Sequence, residues 1–144
     1  MKFEVEDVTA CTCARLRKAT RILTQAYDVA LKPSGLKGTQ FTLLATLDKT
    51  GEIPLSRLAD VLGMERTTLT RNLKPMMSKR YIKTNQDDDQ RVRLIQITTE
   101  GAQVFQEAMP LWQSVQAQAV EKLGRKDWTL LMGALGNLTR HSDT

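Results

Sequence analysis

The stretch GMERTTLTRN, from Gly63 to Asn72, combines arginine and threonine in a spacing that suits contact with a polyanion. Arginine can donate two parallel hydrogen bonds to guanine or pair with phosphate, and threonine offers a hydroxyl group and a methyl group to base edges. If Leu69, Leu73 and Met76 form the buried face of a helix, the opposite face presents Arg66, Thr67, Thr70, Arg71 and Lys74, with Thr68 at its margin. This face predicts a nucleic-acid contact, although helix-turn-helix spacing alone leaves a protein partner open.

Catalytic chemistry is not indicated by the rest of the 144 residues. A single histidine, His141, cannot form a His-rich metal site within one chain, and two cysteines two residues apart cannot form a disulfide framework. No dinucleotide-binding glycine motif, Walker loop, GxSxG or HExxH sequence occurs. We therefore expect no enzyme activity, no cofactor and no bound metal.

The overall charge and hydrophobicity agree with a polyanionic partner in the cytoplasm. The 21 basic and 16 acidic residues leave a net charge of +5, a modest basic excess. No apolar run approaches the roughly 20 residues of a membrane span, and the acidic N-terminus lacks the apolar core of a signal peptide. We expect a cytoplasmic protein without membrane contact.

Hydrophobic periodicity places the motif within a series of helices. Helices are predicted over about 11–31, 40–49, 56–62, 65–79, 99–123 and 127–140, with a small strand at EIP between the second and third. Thr39 is the expected N-cap of the second helix, and Thr98 or Thr99 that of the fifth. Gly63 is the expected turn between the third and fourth helices, and Pro110 is expected to bend the fifth near Gln106.

A β-hairpin is predicted directly after the helix-turn-helix. YIKTNQ and VRLIQIT alternate apolar and polar residues on either side of the polar tip DDDQR, which is the pattern of a wing. Arg91 and Arg93 could reach the minor groove, and Asp89 could hold the Arg91 guanidinium in place with a bidentate bond. The two preceding acids, Asp87 and Asp88, would repel phosphate unless they turn away from the backbone. The basic hairpin is the feature that favours DNA over a protein partner.

The element order and the segments LADVLGMERTTLTRNL and DDDQRVRLIQITTEG resemble the MarR-type winged helix-turn-helix regulators, from about Cys11 to Arg140. The most specific match is to the family pattern D-x-R…L-T-x-x-G, which is carried by Asp89, Arg91, Thr98 and Gly101 with isoleucine in place of leucine. The resemblance implies a mainly α chain, 1–144, with a small β wing. It places a winged helix-turn-helix head at about 36–98 and a helical dimerisation region at about 11–35 and 99–141.

This resemblance implies a homodimeric transcriptional regulator, a repressor that a small aromatic or lipophilic effector or an oxidant releases from double-stranded DNA. Its two recognition helices would enter successive major grooves of a pseudo-palindromic operator, with half-sites ~34–36 Å apart. By position, the groove-facing residues would be Thr67, Thr68, Arg71 and Lys74, with Arg66 at the helix start. Asp89 and Arg91 would form the wing pair. A winged-helix protein–protein adaptor without DNA binding is the alternative.

Two cysteines are candidates for an oxidant sensor. Cys11 and Cys13 lie near the start of the first helix, close to Arg15 and Arg17, a setting that favours a reactive thiolate. Residues i and i+2 of a helix point ~200° apart, which opposes a disulfide within the chain. Packing as small buried hydrophobic residues and metal binding shared across a dimer are the alternatives.

The fifth helix carries three large side chains that are candidates for an effector pocket. Phe105, Met109 and Trp112 could line a cavity between the dimerisation region and the head. Ordinary core or dimer contacts are the alternative explanation for the same three residues.

Overall fold

The computed structural model describes residues 1–86, 88 and 91–140. Its helices are α1 (Thr12–Leu31), α2 (Gly38–Thr50), α3 (Leu55–Leu62), α4 (Arg66–Ser78), α5 (Thr99–Leu123) and α6 (Arg125–Thr139). Its strands are β1 (Ile53–Pro54), β2 (Ile82–Gln86) and β3 (Arg93–Ile97), which form an antiparallel sheet in the order β1-β3-β2. The predicted element order and the mainly α class with a small β wing are therefore confirmed. Two short 3-10 turns, Val5–Ala10 and Lys32–Ser34, were not predicted.

The core lies between α2, α3, α4, α5 and the sheet. Leu44, Leu58, Leu73 and Ile95 are completely inaccessible to solvent, and Leu69 is 1% exposed. Burying a leucine or isoleucine side chain contributes about 1.5–3 kcal/mol relative to leaving it exposed. Because α4 contributes three of its side chains to this core, its orientation relative to α3 is held by packing.

A tight turn joins α3 to α4, as the sequence predicts. Gly63 adopts the left-handed conformation, with φ 65° and ψ 32°. The next amide, of Met64, donates to the carbonyl of Ala59 at 2.9 Å and closes the turn. A Cβ at Gly63 would meet none of the described residues within 4 Å, so the backbone angle rather than space calls for glycine here.

A second tight joint connects the end of α4, the wing and the start of α5. Thr98 caps α5 by accepting a hydrogen bond from the Gly101 amide at 3.0 Å, which confirms the predicted N-cap. Its hydroxyl donates to the Arg80 carbonyl at 2.6 Å, and its amide donates to the Tyr81 carbonyl at 3.0 Å. Arg80 has a φ of 61°, a left-handed conformation that is uncommon outside glycine. These bonds attach the base of the wing to the long helix.

The start of α2 differs from the prediction. The helix begins at Gly38 with Lys37 at the N-cap, and not after Thr39. The Gly38 amide donates to Asp28 Oδ1 of α1 at 2.7 Å. The carboxylate that accepts the Gly38 amide therefore comes from a residue ten positions earlier, which a local capping pattern cannot reveal. The Lys37 amide at the same helix end is satisfied locally, by Gln40 Oε1 at 3.0 Å. Pro110 lies inside α5, which continues as one helix from Thr99 to Leu123.

The terminal helices leave apolar side chains exposed. In α1 only Leu31 is buried, and in the described range of α6 no residue is buried. Ile22, Val29, Leu130 and Leu138 are each more than half exposed, so these side chains are not covered by the described part of the chain. Contiguous exposed apolar surface of this kind marks an interaction site. No helix among the described residues is long and apolar enough to cross a membrane.

Candidate nucleic-acid interface

The outer face of α4 presents the polar residues that the sequence predicts. Leu69, Leu73 and Met76 are buried on the inner face. Thr70 on the outer face is half-buried. The other outer residues are exposed: Arg66, Thr67, Thr68, Arg71 and Lys74. A shallow groove on this surface is lined by Leu55, Arg66, Thr67, Thr70, Arg71 and Lys74. The structure thus brings five of the six predicted α4 residues together and adds Leu55, which no sequence signal indicated.

The N-terminal end of α4 lacks a side-chain cap among the described residues. Glu65 occupies the N-cap position but makes no capping hydrogen bond, in agreement with its poor N-cap propensity. The first-turn amides therefore add the partial positive charge of a helix N-terminus to the cations of the outer face. A phosphate group near Arg66 would meet both kinds of positive charge.

Thr70 differs from its neighbours in how its hydroxyl is used. Its Oγ1 donates to the Arg66 carbonyl at 2.9 Å, within the same helix. The hydroxyl can still accept a hydrogen bond, while its donor is already engaged. Thr70 is therefore suited to accept from a base amino group or to contact a thymine methyl group.

The wing places its two arginines in different surroundings. Arg93 is half-buried, pairs with Gln86 across the hairpin, and donates from Nη2 to the Met77 sulfur at 3.9 Å. Arg93 therefore packs against the end of α4, and its guanidinium is partly engaged within the chain. Arg91 is exposed. Its predicted partner, Asp89, lies outside the described residues.

A cavity lies on the other side of α4, between α1, α2 and α5. Its volume is about 640 Å³, within the roughly 300–1,000 Å³ typical of small-molecule sites. Its walls include Tyr27 from α1, Leu43 from α2, Asn72 from α4 and Trp112 from α5. The cavity therefore adjoins α1 and α5 as well as the recognition helix α4.

The three predicted pocket residues of α5 are divided between this cavity and the core. Trp112 lines the cavity and stacks on Phe41, with ring centroids 5.7 Å apart. Phe105 is only 7% exposed and packs on the same ring at 5.1 Å, so it belongs to the core. Met109 is half-buried against the core. The cavity is formed mainly by residues that sequence periodicity did not connect, because they come from five helices.

A side-chain hydrogen bond connects α1 to α5 beside the cavity. The Tyr27 hydroxyl donates to Gln116 Oε1. Burial raises the pKa of Tyr27 above its ordinary value, so the hydroxyl stays protonated and able to donate at neutral pH. A molecule in the cavity would contact Tyr27 of this hydrogen bond and residues of α4 at the same time.

Both cysteines are exposed, and neither forms a disulfide. Cys11 precedes α1, with φ −57° and ψ 118°, while Cys13 lies in the first turn of the helix. The expectation that both thiols sit on one helix and point ~200° apart is therefore wrong for Cys11. Cys13 lines a surface groove with Leu16, Arg17 and Leu138 of α6. Within the single chain, neither thiol is a buried hydrophobic residue.

Comparison with known proteins agrees with this architecture. The sequence model of the MarR family matches residues 36–92. The chain is similar to the M. tuberculosis transcriptional regulator MosR in complex with DNA, with 41% identity, 90% of this chain and 93% of that chain covered, and a TM-score of 0.83. It is 28% identical over 115 residues to the HTH-type transcriptional regulator YhbI of Bacillus subtilis (strain 168), covering 78% of this chain and 74% of YhbI.

A mutant MarR from E. coli, complexed with operator DNA, shares the fold at 19% identity, with 94% and 99% of the two chains covered and a TM-score of 0.82. The winged helix-turn-helix, its polar recognition face and these similarities lead to one assignment. The chain belongs to the MarR family of transcriptional regulators.

Proposed function

We propose that this chain is a sequence-specific, double-stranded DNA-binding transcriptional regulator that acts without catalysis. The observation that carries the proposal is the outer face of α4, where Arg66, Thr67, Arg71 and Lys74 line one groove on a helix whose inner face is buried. A rigid helix with this face suits the major groove. MosR, which is 41% identical, has been crystallised with DNA.

The proposed active form is a homodimer in the cytoplasm. Residues of about 11–35 and 99–141 would form the dimerisation region, because α1 and α6 leave Ile22, Val29 and Leu130 exposed. Residues of about 36–98 would form the DNA-binding head. Two copies of α4 would then read half-sites one helical turn apart, ~34–36 Å, in a pseudo-palindromic operator.

Binding to the DNA upstream of the chain's own gene is expected to weaken steeply with salt, because each phosphate contact releases counterions. Arg71→Ala should cost ~1–3 kcal/mol of binding free energy and relax sequence specificity. Fluorescence anisotropy over a salt series measures both effects. Lys122→Ala is the matched control: this exposed cation lies near the end of α5, about 35 Å along the helix from the wing at 1.5 Å per residue.

A protein-binding adaptor predicts a different result. It predicts no salt-dependent retention of the upstream fragment, and no change of affinity in Arg71→Ala or Arg91→Ala. Under the DNA-binding proposal, Arg91→Ala weakens affinity chiefly where the flanking sequence is A·T-rich, because a narrow minor groove concentrates negative potential.

The proposed mode of action is repression that a small aromatic or lipophilic effector, or an oxidant, relieves. A ligand that favours a different spacing of the two recognition helices weakens DNA binding by its differential affinity for the two states. The cavity beside Trp112 supports a ligand signal, since it adjoins α4 as well as α1 and α5. The exposed pair Cys11 and Cys13 supports an oxidant signal.

The oxidant signal makes a separate prediction. Peroxide should release the wild-type protein from its DNA fragment, and the double variant Cys11→Ser, Cys13→Ser should remain bound under the same treatment. Electrophoretic mobility shifts before and after peroxide, with and without a thiol reductant, measure the release. The two single variants show whether one thiol suffices. If the double variant is released at the same peroxide concentration as the wild-type protein, the cysteines are not the sensor.

A further inference from the structure

A side-chain hydrogen bond connects the wing strand β2 to the residue that precedes β1. The Asn85 side chain donates from Nδ2 to Glu52 Oε2 at 3.0 Å, across 33 positions of the chain. Because a carboxylate accepts hydrogen bonds and does not donate them, the amide must turn its nitrogen toward Glu52. Strand β3 lies between β2 and β1 in the sheet, so this bond passes over one face of β3. It therefore joins the wing to the head independently of the backbone ladder.

The backbone that carries Glu52 is fixed on both sides. Gly51 ends α2, and its amide donates to the Leu47 carbonyl at 2.9 Å. Ile53 is only 5% exposed and pairs with Ile95 of β3. Glu52 is therefore held between the end of a core helix and a buried strand residue, and its carboxylate is a fixed point on the head.

Asn85, by contrast, lies on a part of the wing that has little other support. It is four residues beyond Tyr81 at the base of the wing, a distance of roughly 14 Å along a strand. The ladder between β1 and β3 is two residue pairs long, and one of its residues, Pro54, has no amide to donate. Two-stranded ribbons twist more than wide sheets and are marginally stable alone. The outer part of the wing therefore depends on side-chain bonds for a fixed position.

We propose that Glu52 is a positioning residue for the wing, and that through Asn85 it sets the angle at which Arg91 meets the minor groove. This inference rests on the proposed function and adds to it a residue that acts on DNA recognition through another. The second strand of the wing has its own bond to the head, since Arg93 of β3 donates to the Met77 sulfur of α4 at 3.9 Å. Together the two bonds fix the twist of the wing relative to the recognition helix.

The charge of Glu52 and its positioning role have opposite effects on DNA binding. A carboxylate near DNA repels phosphate, and this repulsion does not depend on sequence. Removing the charge should therefore raise affinity equally for all flanking sequences. Removing the bond should lower affinity where a wing arginine gains most, at A·T-rich flanks with a narrow minor groove. The ratio of the affinities for A·T-rich and G·C-rich flanks cancels the charge effect and measures the positioning effect.

The experiment measures this ratio by fluorescence anisotropy, with two versions of the upstream fragment that carry A·T-rich or G·C-rich sequence beside the bound site. Glu52→Ala should lower the ratio about threefold, within the net contribution of one hydrogen bond. Glu52→Gln keeps an acceptor oxygen for Asn85 and should retain the wild-type ratio. Asn85→Ala should lower the ratio as much as Glu52→Ala, and the double variant no further, because both changes remove the same bond.

The matched control is Asp60→Ala, which removes an exposed carboxylate of α3 that makes no side-chain hydrogen bond among the described residues. It should leave the ratio unchanged. A second measurement tests whether Glu52 acts through the wing arginine. In an Arg91→Ala background, Glu52→Ala should not change the ratio further, whereas a general loss of structure would lower affinity in both backgrounds.

Hydrogen exchange on the DNA-free protein tests the bond by itself. The amides of β2 and β3 should exchange faster in Glu52→Ala than in the wild-type protein or Glu52→Gln. Because both side chains of the bond are exposed, the thermal unfolding midpoint should not change.

Four results would overturn the inference: a wild-type ratio in Glu52→Ala, an equal loss in Glu52→Gln, a further loss in the Arg91→Ala background, or unchanged exchange of the wing amides in Glu52→Ala. A failure of the wild-type protein to bind DNA would instead reject the proposed function. The exchange experiment contains no DNA, so it separates the two failures.

Discussion

Gly101→Ala is expected to lower the free energy of unfolding by about 3 kcal/mol, at the upper end of overpacking effects. A Cβ at this position would lie 2.0 Å from the Tyr81 carbonyl oxygen and 2.9 Å from its carbonyl carbon. Both atoms are backbone, and the same carbonyl accepts the Thr98 amide, so it cannot move away without breaking the joint. The start of α5 or the base of the wing must shift.

Urea denaturation measures this loss, and the helical glycines of α6 provide the control. A Cβ at Gly133 or Gly136 would meet no described atom of the chain within 4 Å, so alanine there should be neutral or stabilise the helix by up to roughly 1 kcal/mol. If Gly101→Ala unfolds at the wild-type urea concentration, the close approach of Gly101 to Tyr81 is not a constraint on the fold. A folded Gly101→Ala protein should also bind DNA more weakly, since the joint positions the wing relative to α5.

Leu73→Ala and Lys74→Ala are expected to separate the two faces of α4. Leu73 is completely buried in the core, so its truncation should cost about 2–5 kcal/mol of stability. Lys74 is exposed in the groove, so its truncation should change stability by less than about 0.5 kcal/mol. DNA affinity should respond in the opposite order. Lys74→Ala should lower the slope of log affinity against log salt concentration by about 1, the value for one lost phosphate contact.

Paired measurements of stability and affinity on the same samples decide this prediction. The affinity of Leu73→Ala is measured at a temperature where the variant is folded, so that unfolding does not enter the comparison. A stability loss in Lys74→Ala as large as that in Leu73→Ala would mean that the outer face of α4 is part of the core. A wild-type salt slope in Lys74→Ala would remove that residue from the DNA contact.

Much of the candidate site could be predicted from sequence because α4 is strongly patterned. The spacing of Leu69, Leu73 and Met76 predicted the buried face, and the outward set from Arg66 to Lys74 followed from helical geometry. The conformation of Gly63 and the N-cap role of Thr98 could be predicted for the same reason, since turn and cap preferences depend on the immediate backbone. The wing was visible in the change from a helical to an alternating pattern.

Tertiary contacts decided the features that depend on residues distant in sequence. Asp28 of α1 accepts the Gly38 amide at the start of α2, where the local sequence pattern predicted capping by Thr39. Phe105 and Trp112 both lie on α5 and pack on Phe41, yet one is in the core and the other lines the cavity. A helical repeat predicts which way a side chain points, but not which element lies opposite it.

The sequence by itself therefore determined the kind of protein: helices, turn, wing and a polar recognition face, all of which arise from contacts within a few residues or from one helical period. Only the tertiary structure decided that Arg71 borders a cavity as well as a groove, and that Gly101 leaves room for the Tyr81 carbonyl. Both relationships join segments that are not neighbours in the chain. Their geometry is set by how the core packs, because packing fixes the distances between elements that local preferences leave free.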